Sequence, residues 1–278
     1  MEEQINKVGI LQGRLLPNSL ERLQVFPSKN WEKEFEVAEE CGFSIIELLF
    51  DIGEYGKNPL ISKEGQKQIV HLLETTKLSV PSICADFFQR YGFFKDSKQT
   101  KEGNVTMLKK LIEASEIIHY NTILIPFFEE TEIKNKKNKK EIIQLLNGFY
   151  KILEEYGVNI CLETTLPAEQ FTMFMEEINH PNVKIYYDLG NSIPLNYNAA
   201  EDIRCLSKWI GGIHIKDRNS KGENVFLGTG LVNFKKCFQV LKEINYNGNY
   251  ILETAMGDNP VEVAKKHLRF VREFLNET

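Results

Sequence analysis

A chain of 278 residues has length for one large α/β domain or two ordinary ones. With 42% hydrophobic and 26% charged residues it has the balance of a soluble globular protein able to bury a large core. A net charge of −5 argues against a general nucleic-acid binder, and no run approaches the roughly 20 apolar residues of a membrane span.

The five cysteines (Cys41, Cys84, Cys161, Cys205, Cys237) are scattered and form no CxxC pair, which reads as buried reduced thiols in a cytoplasmic protein. Met1–Gln4 shows no basic stretch leading into an apolar run, so no signal segment is expected. The first strand is predicted over 7–13, ending in a polar loop that carries Arg14, and a helix follows over 30–38, capped by Asn30 or Ser28. Gly42 stops that helix, and 44–50 is a second strand. A helix capped by Ser62 runs to about residue 77, as a helix-period pattern requires. Then come a strand over 80–86, a helix over 103–119 and a strand over 122–128. The charge run 134–140 reads as a solvated loop and helix entry, and 141–156 as a helix ended by Gly157. Strands over 159–165 and 183–189 flank a helix over 167–178, with Pro167 at its start. A short helix over 199–208, a strand over 212–216, the glycine-rich loop 227–230, a helix over 233–244, a strand over 249–254 and a closing helix over 260–275 complete the chain.

Eight strands thus alternate with eight helices, at about 35 residues per unit, the rhythm of a parallel sheet with helical crossovers. Eight such units in under 300 residues imply an α/β fold, a single (β/α)8 TIM barrel occupying 1–278 as one domain. In that barrel the strand ends share one face, and four consecutive strands end in Glu163, Asp188, His214 and Glu253. They are 25, 26 and 39 residues apart, one per βα unit. A lone Glu or His at a strand end is ordinarily a satisfied polar residue; four at one level form a ligand set. Carboxylates with one imidazole suit a single divalent metal ion, Mn²⁺, Mg²⁺, Co²⁺ or Zn²⁺.

The layout resembles the xylose-isomerase-like barrel superfamily, which spans sugar and sugar-phosphate isomerases and epimerases, inosose dehydratases and endonuclease IV enzymes. The resemblance rests on Glu163 in LETT, Asp188 in YDLGN, His214 in HIKDR, the segment 227–234 (LGTGLVNF) and Glu253 in YILET. In its ketose 3-epimerase branch the matching four residues bind one ion, usually Mn²⁺, and the two glutamates serve as acid and base. The implied function is a divalent-metal-dependent sugar or sugar-phosphate epimerase or isomerase working through an enediolate. A dehydratase, an endonuclease IV-like phosphodiester hydrolase and a non-catalytic sugar-binding barrel are the alternatives. The third and fourth strand ends carry no histidine, which favours one metal over the three-zinc cluster of endonuclease IV. That branch often has a histidine three residues after the strand-six Asp; here it is Asn191, which can bond a sugar oxygen but cannot shuttle a proton. Arg14, Glu47, Asp86, Asn191, Lys216 and Arg218 are further candidates for binding substrate. Arg14, Lys216 and Arg218 could hold a phosphate with the backbone N–H groups of 228–230. The partner expected is a small sugar or sugar phosphate, with no nucleic acid and no membrane; a homo-oligomer is compatible with the sequence.

Overall fold

The computed structural model describes residues 7–17, 24–90, 92–93 and 98–277. The Met1–Gln4 terminus, read above for a signal segment, lies outside them. All eight expected strands form: β1 (Val8–Leu11), β2 (Ile45–Leu49), β3 (Ser82–Cys84), β4 (Thr122–Phe127), β5 (Asn159–Thr164), β6 (Val183–Asp188), β7 (Ile210–Ile215) and, after a hairpin described below, β10 (Tyr250–Leu252). They are parallel and close into a ring in the order β1-β10-β7-β6-β5-β4-β3-β2. Parallel pairing with both faces covered explains why these strands read as nearly continuous apolar runs.

Inside the ring, Leu11, Ile45, Leu49, Cys84, Leu124, Cys161, Tyr186 and Ile251 form a core of their own, separate from the larger one between strands and helices. Each is the inward residue of a period-two strand, so the residue two further on also faces inward, nearer the mouth. Two strand glycines make room for this filling. A Cβ on Gly212 would lie 2.4 Å from the Tyr186 ring, and one on Gly9 2.5 Å from Ile45 Cγ2.

The helices of the outer layer, among the described residues, are α1 (Lys33–Cys41), α2 (Lys63–Thr75), α3 (Phe87–Arg90), α4 (Lys98–Ile118), α5 (Lys136–Asn147), α6 (Tyr150–Tyr156), α7 (Ala168–Ile178), α8 (Ala199–Leu206), α9 (Phe234–Glu243) and α10 (Pro260–Glu277). None is long and apolar enough to cross a membrane. Four differences from the sequence reading have local causes. Neither Ser28 nor Asn30 caps α1, which starts at Lys33 after a turn. The helix expected over 141–156 is two helices: Asn135 caps α5 through the N–H groups of Lys137 and Asn138, and the chain breaks at Gly148 so that Phe149 can bury. Much of the lysine run is therefore the first turn of a helix. Phe87 and Phe88 form the short α3, with Phe87 against Phe50 and Phe88 stacked on Phe93, a packing role. Cys205 is exposed on α8, while the other four thiols are buried as expected.

Two buried carboxylates tie the mouth loops to this frame. Glu34 of α1 accepts the N–H groups of Gly13 (2.6 Å) and Leu15 (3.1 Å), fixing the loop that carries Arg14. Asp217 begins a two-stranded hairpin, β8 (Asp217–Arg218) with β9 (Asn224–Val225), that the sequence reading lacked.

Candidate metal centre at the barrel mouth

Glu163, Asp188 and Glu253 stand two residues beyond the lumen residues Cys161, Tyr186 and Ile251, so strand geometry alone aims them inward at one level. Asp188 pairs in register with His214 across β6 and β7. One ligand atom from each of Glu163, Asp188 and His214 lies within 4.8 Å of the others, and all three residues are buried. Glu253 joins this group through His214: its Oε2 is 2.7 Å from His214 Nδ1. Its other oxygen is 2.5 Å from Lys216 Nζ and 3.8 Å from Arg14 Nη2. Lys216 Nζ also lies 2.8 Å from Asp188 Oδ2, so one ammonium bridges two of the four candidate ligands. Geometry therefore gathers three of the expected four into a ligand-distance cluster and sets Glu253 beside it.

The donor set fits a divalent ion. It offers carboxylate oxygens and one imidazole, without thiolate. His214 Nδ1 and Asp188 Oδ2 are buried and make no well-directed hydrogen bond, facing only their ion-pair neighbours.

Electrostatics separates the two glutamates. Burial, reinforced by the Asp188 charge, pushes the Glu163 carboxyl well above its usual range. Burial acts the same way on Glu253, but the charges of Lys216 and His214 outweigh it and hold this carboxyl well below the usual range. Burial would lower His214; the flanking charges of Glu47 and Glu253 reverse that and raise it. Two carboxyls whose environments drive them apart are suited to opposite acid and base roles.

The remaining sequence candidates divide. Asp86, Asn191, Lys216 and Arg218 line a cavity of about 310 Å³ with Glu163 and Glu253, at the small end of ligand-site volumes. Burial, then the charges of Glu253 and Asp51, pushes Asp86 up to about 7. Asn191 donates from Nδ2 to Glu163 Oε1 (2.8 Å) and accepts from Arg218 Nη2 (2.8 Å), so it links the carboxylate to the guanidinium. Arg14 is buried behind Glu253 and does not line the cavity. Glu47 does not line it either: it is completely buried beneath His214, whose Nε2 lies 2.7 Å from Glu47 Oε1. The expectation of a phosphate cradle in the glycine loop is overturned. The N–H groups of Gly228 and Gly230 both donate to Asp217 Oδ2, at 3.0 and 2.9 Å, so they are spent on a carboxylate of the chain itself. Sequence reasoning missed the lining residues Gln24 and Leu195 in loops, Glu129 in a single 3-10 turn and Gln89 on the short α3, segments too short or irregular for periodicity to place.

A family model described as "Xylose isomerase-like TIM barrel" matches residues 35–274. The putative L-ribulose-5-phosphate 3-epimerase SgbU of Haemophilus influenzae is 25% identical over 269 residues, covering 89% of this chain and 88% of that protein. The L-ribulose-5-phosphate 3-epimerase UlaE of Salmonella heidelberg is 23% identical over 248 residues, covering 84% and 87%. Among solved structures, a D-psicose 3-epimerase determined in the presence of D-fructose superposes with a TM-score of 0.77 at 15% identity, covering 97% of this chain and 99% of that one.

Proposed function

The chain belongs to the xylose isomerase-like TIM barrel family and is an isomerase-class enzyme, and on that premise we propose that it is a divalent-metal-dependent epimerase of a ketose or ketose phosphate. The observation that carries this reading is the convergence of Glu163, Asp188 and His214, with Glu253 alongside, at the mouth of the ring. These four would hold the ion, Mn²⁺ being the first to try. When bound, the ion supplies a Lewis acid that stabilises negative charge developing on a substrate oxygen. The side chains of this protein do the rest. Glu253, held ionised by Lys216 and His214, removes the proton from the carbon next to the carbonyl. Glu163, whose carboxyl burial pushes above its usual range, returns a proton to the opposite face, and the configuration at that carbon inverts. In the reverse direction the two exchange roles. Asn191 and Arg218 keep Glu163 aimed at the cavity, and Lys216 bridges Asp188 and Glu253. The two curated relatives above bear the name L-ribulose-5-phosphate 3-epimerase, which makes ketose phosphates the first substrates to test. The same reading takes 1–278 as one barrel domain, working in the cytoplasm on a small molecule.

The test is to incubate the metal-loaded protein with ketoses and ketose phosphates in D₂O and follow deuterium at the epimerised carbon. Glu163→Gln should keep its fold and lose the epimer, while Glu253 still exchanges the proton of the unreacted ketose for deuterium. Epimer formed at the wild-type rate in that variant would remove Glu163 from the proton transfer.

A further inference from the structure

Glu47 is a carboxylate sealed inside the ring, out of contact with the cavity, and the reaction above has no use for it. Its surroundings are specific. Oε2 accepts the hydroxyls of Ser82 on β3 and Tyr186 on β6 (2.8 Å for the latter), and Oε1 faces Nε2 of His214 on β7 at 2.7 Å. Four strands thus contribute to one network. The Tyr186 ring lies 4.5 Å from the imidazole and rests on Gly212, the glycine whose missing Cβ gives it space. With Oε2 taken by two hydroxyl donors, Oε1 is the atom left for the imidazole. A carboxylate can only accept, so Nε2, facing it, carries hydrogen. Nδ1 faces Glu253 Oε2 at the same 2.7 Å, but Glu253 opens to the cavity and is itself a candidate ligand, so Nδ1 is the nitrogen placed for ligation.

We propose that Glu47 is a positioning residue: it accepts the Nε2–H of His214, fixes the tautomer and plane of the ring, and so presents Nδ1 as the metal-ligating atom. This rests on the metal reading of the preceding subsection. Histidine ligands are commonly oriented by a carboxylate on their second nitrogen, and loss of such a partner typically costs 10–100-fold in metal affinity. What this chain supplies for that purpose is a carboxylate from the far side of the lumen, itself clamped by Ser82 and Tyr186.

The experiment is calorimetric titration of the full-length, metal-stripped protein with Mn²⁺ and with Zn²⁺, for the wild type and for Glu47→Gln. It is combined with nitrogen-15 spectra of the histidines in the Zn²⁺-loaded wild type. Glu47→Gln should bind either ion about 10–100-fold more weakly while its far-ultraviolet spectrum is unchanged. The wild-type spectra should show His214 ligated through Nδ1 and protonated at Nε2. A purely structural Glu47 would shift the melting temperature but neither of these. Equal affinity in the variant, or ligation through Nε2, would overturn the inference while leaving a metal-dependent epimerase intact. Should Glu47→Gln fail to fold, the wild-type spectra alone decide. A wild type that binds no divalent ion overturns both this inference and the proposed function.

Discussion

Replacing Asp217 by alanine should loosen the mouth of the barrel on one side and cost the whole fold a measurable part of its stability. The Asp217 carboxylate is 1% exposed and accepts four backbone N–H groups: Arg218 (2.9 Å) and Val232 (3.1 Å) at Oδ1, Gly228 (3.0 Å) and Gly230 (2.9 Å) at Oδ2. Three of these come from the loop after the hairpin, so one side chain closes a loop of more than ten residues. Each hydrogen bond to a charged acceptor is worth about 1.5–3 kcal/mol net. The loop lies at the surface, and its freed N–H groups can turn to water. The total should therefore fall below the sum, at about 3–4 kcal/mol. The glycine at 230 belongs to the same device: a Cβ there would sit 2.2 Å from Asp217 Oδ1. Urea denaturation should show a lower midpoint at unchanged slope. Amide exchange at residues 228, 230 and 232 should accelerate by orders of magnitude while the β5 and β6 amides stay protected. A loss under about 0.5 kcal/mol, the scale of ordinary surface changes, together with unchanged exchange at those three amides, would refute the reasoning.

Acid should weaken the protein through His267. This ring is buried; its Nε2 accepts the Leu227 N–H at 3.3 Å, its Nδ1 lies 2.9 Å from Thr254 Oγ1, and burial pulls its pKa down to about 4. Between that value and the ordinary 6.5 the unfolded chain binds a proton that the folded chain does not. Stability present above 6.5 is thus lost as pH falls, by about 2 kcal/mol at pH 5. Urea midpoints at pH 7 and pH 5 measure this, and His267→Gln should show a smaller difference; an equal one would clear His267. Asn191→Ala should lower kcat by about 2–10-fold, the worth of one neutral hydrogen bond, while leaving metal content unchanged. An unchanged kcat with a raised KM would make Asn191 a substrate contact and nothing more.

The barrel was legible because its cause is local. Apolar runs at strand length, separated by helix-period segments, leave few ways to bury both faces of eight strands. The polar cluster at the mouth was legible for a related reason: Cys161 and Glu163, or Tyr186 and Asp188, differ by two residues, and the pleat sends both to the same side. The chain alone therefore determined the ring, its direction and the level at which Glu163, Asp188, His214 and Glu253 stand. Tertiary structure decided what each polar group spends its hydrogen bonds on. Glu47 interrupts an apolar run and Glu253 ends one, yet the first is sealed under an imidazole and the second opens to the cavity. Gly228 and Gly230 could have cradled a phosphate, and Asp217 took their N–H groups instead. Those outcomes depend on which side chains from distant strands arrive within 3 Å, and closure of the ring, not spacing along the chain, sets that distance.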